Sequence, residues 1–198
     1  KFTMRALQPA GPRQSRYKEL LCSKDVGIVV GVGPAGCGKT LFAVQAGLSA
    51  LRSGQVERLI LARPNILAGE ELGFLPGTEK SKLEPLLAPA LDAITKVMGP
   101  KAWDALHKAG LLEFQSFAYM RGRTHDHAFV VADEIQNASF VQLKMLATRV
   151  GANSKLCILG DPTQFDRRDN WANSPLNLFA KAVTEKQQAQ SAWQIDAD

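Results

Sequence analysis

Apolar positions along this chain come in two alternating rhythms. Short apolar-rich runs at 26–32, 58–62, 128–132 and 155–159, together with Leu112-Glu-Phe-Gln-Ser-Phe117, read as strands. Between them lie stretches with apolar residues three and four apart. Leu41, Val44, Leu48 and Leu51 form such a stripe over 39–52, which stops at Ser53 and Gly54. Leu83, Leu87, Leu91, Ile94 and Met98 form another over 81–98. Pro85 and Pro89 fall inside it and predict a broken or kinked start. Shorter helices are expected over 14–22, 101–109 and 139–150, the last capped by Ser139 and closed by Gly151. Ser174 and Pro175 can open a final helix that buries Leu176, Phe179 and Val183.

Strands this rich in apolar residues are covered on both faces. Five of them alternating with helices predict an α/β fold, a parallel sheet sandwiched between helices with right-handed crossovers. A single domain over 1–198 is expected, with 1–12 and 185–198 flexible. Residues 65–79 carry Gly69, Gly73, Pro76 and Gly77 and read as a long loop, a feature that often carries function.

The junction between the first strand and the first long stripe carries the chemistry. It reads Gly33, Pro34, Ala35, Gly36, Cys37, Gly38, Lys39, Thr40, then Leu41. This is the full Gly-x-x-x-x-Gly-Lys-Thr spacing of a phosphate-binding P-loop, or Walker A motif, in its strand–turn–helix setting. Glycines let the backbone curl so that its N–H groups point inward, and the helix N-terminus adds partial positive charge. Lys39 is placed to reach the β- and γ-phosphates, and the Thr40 hydroxyl to bind Mg²⁺.

Ligands of such sheets sit at the carboxyl ends of the strands. Two further motifs fall there. Val130, Val131 and Ala132 run into Asp133 and Glu134, a Walker B pattern. Asp133 would hold Mg²⁺ and Glu134 would deprotonate the attacking water. The segment from Gly160 to Gln164 ends the fifth strand, and Gln164 is placed to touch both the γ-phosphate and that water. Phosphoryl transfer needs little more than positioning, a metal and charge neutralisation.

Composition changes this picture only slightly. A net charge of +5 suits a polyanionic partner. Three cysteines without metal spacing argue against a disulfide framework and fit a reducing, cytoplasmic compartment. No apolar run approaches the roughly 20 residues of a membrane span, so no membrane partner is expected. His125 and His127 flank Asp126 and read as solvated turn residues rather than metal ligands.

Together, the P-loop, Ala62-Arg-Pro64, Leu72-Gly-Phe-Leu-Pro-Gly77, Tyr119-Met-Arg-Gly-Arg-Thr124, Asp133-Glu-x-Gln-Asn137 and Gly160-Asp-Pro-Thr-Gln164 resemble the PhoH family of P-loop ATPases. That resemblance implies a P-loop NTPase with a single RecA-like core, similar to the first core of superfamily 1 helicases. It implies ATP and Mg as cofactors and Gln14 as the reader of adenine. It also implies a homo-oligomeric ring, commonly a hexamer, and RNA or single-stranded DNA as a partner. The match fades after Phe165, where the arginine-bearing segment usual in the family is not found. Arg63, Arg121, Arg123 and Arg149 lie near the active edge or next to it. Arg121 and Arg123 are the first choice for an arginine finger reaching a neighbouring subunit, on a turn expected at the nucleotide edge. Two other classes compete: a nucleotide-dependent switch or assembly module with slow hydrolysis, and a small-molecule kinase. Glu134 and Gln164 favour hydrolysis over transfer.

Overall fold

A computed structural model describes residues 2–64, 79–165, 170–186 and 192–194. The elements in chain order are α1 (Pro12–Cys22), β1 (Ile28–Val32), α2 (Lys39–Ser53), β2 (Arg58–Arg63), α3 (Glu79–Met98), α4 (Ala102–Lys108), β3 (Leu112–Ser116), α5 (Phe117–Met120), β4 (Ala128–Ala132), α6 (Phe140–Ala147), β5 (Lys155–Gly160), α7 (Pro175–Lys186) and β6 (Ala192–Gln194). The strands lie in the order β3-β2-β4-β5-β1-β6, and every pairing is parallel. This is the predicted α/β sandwich, a RecA-like core. One consequence positions the site: β5 lies between β1, which leads into the glycine-rich loop, and β4, which leads into Asp133.

Alternation along each strand divides the interior into two cores. Val29, Leu59, Leu61, Phe129, Val131 and Cys157 face one side, packed under α1, α2, α3 and α4. Val30, Ile60, Val130, Leu156 and Ile158 face the other, with Leu143, Leu146 and Leu176 from α6 and α7. Close seating of α2 depends on Gly47. A Cβ there would come within 2.6 Å of Leu59 and 3.1 Å of Phe129. Gly54 ends α2 in the left-handed conformation, φ 75°, where glycine carries no Cβ penalty.

Four differences from the sequence reading have physical reasons. Helix α3 continues through Pro85 and Pro89 without a break. Each proline removes one N–H donor but its φ is helical, and burial of Leu87, Ala90, Ile94 and Val97 holds the helix on the sheet. Helix α6 starts at the expected Ser139 cap, a full capping box with Gln142, but ends at Ala147 rather than 150. The Thr148 hydroxyl takes the carbonyls of Lys144 and Met145, while Arg149 and Val150 turn to pair with His125. Within the expected flexible tail, α7 extends to Lys186 and 192–194 form a sixth strand on the open edge of β1. Three residues are too few to show a pattern. His125 is buried rather than solvated, 3% exposed. The loop expected at 65–79 falls outside the described residues up to 78.

Candidate nucleotide-binding site

The glycine-rich loop leaves β1 and is stitched to β5, where Gly33 N–H donates to the Gly160 carbonyl at 3.1 Å. Gly36 and Gly38 adopt φ of 79° and 92°, a left-handed backbone that glycine alone takes freely. Lys39 lies inside the loop. Its ammonium donates to the carbonyls of Gly33 at 2.6 Å and Pro34 at 2.8 Å, and stands 3.7 Å from the Cys37 thiol. The cation is thereby centred in the cradle.

Helix α1 braces the loop from outside. The Gln14 amide donates to the Cys37 carbonyl at 3.0 Å and accepts from the Ala10 N–H at 2.7 Å. Both polar ends of the expected adenine reader are thus engaged with backbone. Tyr17 is fully buried, and its hydroxyl donates to the Lys39 carbonyl at 3.2 Å.

At the end of β4 the Thr40 hydroxyl donates to Asp133 Oδ2 at 2.8 Å, and Glu134 N–H donates to Asp133 Oδ1 at 2.9 Å. Burial pushes the Asp133 carboxyl above its ordinary value, against the pull of those two hydrogen bonds. A hydroxyl and a carboxylate in contact suit Mg²⁺, which prefers hard oxygens and keeps its other positions for phosphate and water. Among the described residues no group of three His, Cys, Asp or Glu forms an all-protein cage. The donor set therefore fits a metal carried with a nucleotide.

Glu134 has φ of 60°, unusual for a residue with a Cβ. The cause is visible in the pairing. Asp133 N–H still bonds to Ala62 of β2, whereas Ile135 N–H bonds to Leu159 of β5. A regular strand would send both to the same neighbour, so Glu134 takes the turn between them. Such backbone costs on the order of 1–3 kcal/mol and gathers at functional sites. Its carboxylate is held at both oxygens: Arg63 stands 3.4 Å from Oε1, and Gln136 donates to Oε2 at 2.8 Å.

Gln136 is a residue of this site to which sequence reasoning gave no role. Buried and 4% exposed, it also accepts from Asp161 N–H at 3.3 Å, so it joins Glu134 to the end of β5. Its signal lay in the Asp-Glu-x-Gln-Asn pattern. Asp161 accepts from Thr163 and from the Gln164 amide at 3.0 Å. Burial raises the Asp161 carboxyl, but these bonds and nearby Lys39 outweigh it and hold it below its ordinary value.

These groups line a cleft of about 370 Å³ between the loop and α3. Of the residues named from the sequence, Ala35, Gly36, Gly38, Lys39, Thr40, Leu41, Asp133, Glu134 and Gln164 line it and Gly33, Pro34 and Cys37 do not, while Asp92 and Lys96 of α3 join them unforeseen. No arginine lines it among the described residues. Arg121 is exposed. Arg123 lines a different recess, shared with Arg58 at the amino-terminal start of β2. The turn expected at the nucleotide edge is therefore the return path. After α5 the chain must cross to the opposite edge to begin a parallel β4 at Ala128, and Arg123 is already well along that crossing.

A parallel sheet with a strand inserted between the glycine-rich loop and the acidic strand end defines a RecA-like P-loop core. The chain belongs to the PhoH family: the family model described as "PhoH-like protein" matches residues 6–197. A PhoH-like protein of Mycobacterium leprae (strain TN) is 45% identical over 162 residues, 82% of this chain and 46% of that protein. One of Bacillus subtilis (strain 168) is 48% identical over 139 residues, covering 70% and 44%. The chain thus spans less than half the length of these relatives. Among solved structures, the Sulfolobus solfataricus SWI2/SNF2 ATPase core in complex with dsDNA shares the fold, with TM-score 0.53 and 14% identity over 97% of this chain and 47% of that one. No helix among the described residues is long and apolar enough to cross a membrane.

Proposed function

We propose that this domain binds ATP with Mg²⁺ and hydrolyses it. The observation that carries the reading is the meeting of Thr40, Asp133 and Glu134 in a cleft that Lys39 also lines. Lys39 and the loop N–H groups neutralise phosphate charge. Thr40 and Asp133 would hold the metal, which supplies further neutralisation when bound. Glu134 takes the proton of the attacking water, and Gln164 orients that water. Glu134→Gln tests this: ATP affinity by calorimetry should persist while turnover falls at least about a hundredfold, the scale of a lost general base. Unchanged turnover removes Glu134 from the role.

The finer reading adds partners. A cleft that no arginine lines among the described residues suits a finger supplied by a neighbouring copy, through Arg121 or Arg123, in a homo-oligomeric ring such as a hexamer. RNA or single-stranded DNA is the favoured polymer for a basic chain of net charge +5. Light-scattering mass with and without ATP tests the ring. One observation favours a second reading, a slow nucleotide-dependent switch: both oxygens of Glu134 are already held by Arg63 and Gln136.

A further inference from the structure

A second polar recess, of about 360 Å³, lies along edge strand β3. It reaches the start of β2, the sheet edge opposite the glycine-rich loop, a strand length of roughly 17 Å away at about 3.3 Å per residue. Its lining includes Arg58, Glu113, Gln115, Arg123, Thr124 and His125. Two of these are buried side chains with an atom left unpaired. Gln115 is 7% exposed and its Oε1 accepts nothing; His125 is 3% exposed and its Nε2 has no partner. Buried polar atoms without partners are uncommon because desolvation goes uncompensated. Both line this hollow.

The charges around it do not cancel. Glu113 is fully used, with Oε1 paired to Arg58 at 3.2 Å and Oε2 accepting from the Gln115 amide at 2.8 Å. Arg58 is thereby neutralised. Arg123 and Arg149 remain in excess, and the field of both reaches His125. Burial, together with Arg58, Arg123 and Arg149, outweighs Glu113 and lowers the His125 imidazole below its ordinary value, so the ring is neutral at physiological pH and adds no charge. Arg149 holds the segment directly, its carbonyl accepting from His125 N–H at 2.8 Å, and its own Nε is buried and unpaired.

We propose that this recess is a second ligand site that binds a phosphate group bearing a neighbouring hydrogen-bond donor. Arginine suits the phosphate because its guanidinium gives charge-assisted, directional bonds. Gln115 Oε1 can only accept, so it selects the donor beside that phosphate, a hydroxyl or an amine. A free nucleotide and a polynucleotide strand both offer this pair. The site is separate from the cleft, and its test does not depend on ATP hydrolysis.

The chain has three histidines, so imidazole ¹⁵N–¹H spectra resolve His125 without crowding. Uridine 5′-monophosphate and a short oligouridylate are titrated separately into the unmodified protein, into Arg123→Gln and into Lys39→Ala. Arg123 is exposed, so its loss leaves the fold intact. The expected result is a saturable shift of the His125 ring, weakened roughly tenfold or more in Arg123→Gln and kept in Lys39→Ala. A response to the mononucleotide identifies a free nucleotide as ligand, and a response to the oligomer alone identifies a strand. No saturable shift with either probe, or one indifferent to Arg123→Gln, overturns the site.

Discussion

Replacing Tyr17 should separate what holds α1 to the glycine-rich loop. The ring is fully buried beside Gly31, where an added Cβ would stand 3.2 Å from both its edge and its hydroxyl. Burying an aromatic side chain removes about 150–250 Å² from water, which at about 25 cal/mol per Å² is roughly 4–6 kcal/mol as an upper bound. Truncation to alanine then costs about 3–5 kcal/mol, since the site collapses only in part. The hydroxyl makes a neutral hydrogen bond to Lys39 and lies 3.3 Å from Cys157 Sγ. Tyr17→Phe should therefore cost only about 1 kcal/mol, or about 2–4 °C in Tm for a chain of this size. Urea titration at neutral pH reads both. Burial pushes the hydroxyl's ionisation well above its ordinary value, so the difference between the variants should be flat from pH 6 to 9. Because α1 also carries Gln14 against the Cys37 carbonyl, Tyr17→Ala should raise the KM for ATP as well. Equal costs for the two variants, or an alanine cost under about 1 kcal/mol, would refute this account of the brace.

Lys39→Ala should abolish ATP binding by calorimetry with little change in the far-ultraviolet spectrum, and normal affinity would remove the loop from phosphate recognition. Asp133→Asn should stabilise the fold when measured without nucleotide or Mg²⁺. The Asp133 carboxyl is raised on folding, so its contribution is full below its ordinary value of 3.8 and is lost as pH rises through the folded value. The variant's advantage in Tm should therefore grow from pH 4 toward 7, and an advantage independent of pH counts against the burial argument. Arg63→Gln should change kcat for ATP more than KM, because Arg63 touches Glu134 but does not itself line the cleft. A change confined to KM would assign Arg63 to binding instead.

Strand positions and the loop were legible because their signals are local. A run such as 128–132 is apolar at every residue, and Gly33 to Thr40 encode their turn in their own glycines. Positions set by pairing between distant segments were not legible. A parallel sheet requires the chain to cross back before β4, but nothing near Arg123 in sequence says how far along that crossing it lies. The early end of α6 likewise follows from His125 pairing across 25 residues with Val150. Gln136 was visible as part of a motif but not as a bridge, because its second partner, Asp161, comes from another strand end.

The two contacts of Gln136 have opposite polarity. Toward Glu134 it must donate, because a carboxylate only accepts; toward Asp161 it must accept, because a backbone N–H only donates. One primary amide does both in a single orientation. A glutamate of the same length has no donor for its neighbour and would set two carboxylates against each other. An asparagine falls one carbon short of the span, and the close approach of Gly160, where a Cβ would stand 3.3 Å from the Gln136 backbone nitrogen, leaves little room to shift the chain and make up the difference. What a substitution must reproduce at this position is thus the direction of two hydrogen bonds rather than a volume or a hydrophobicity.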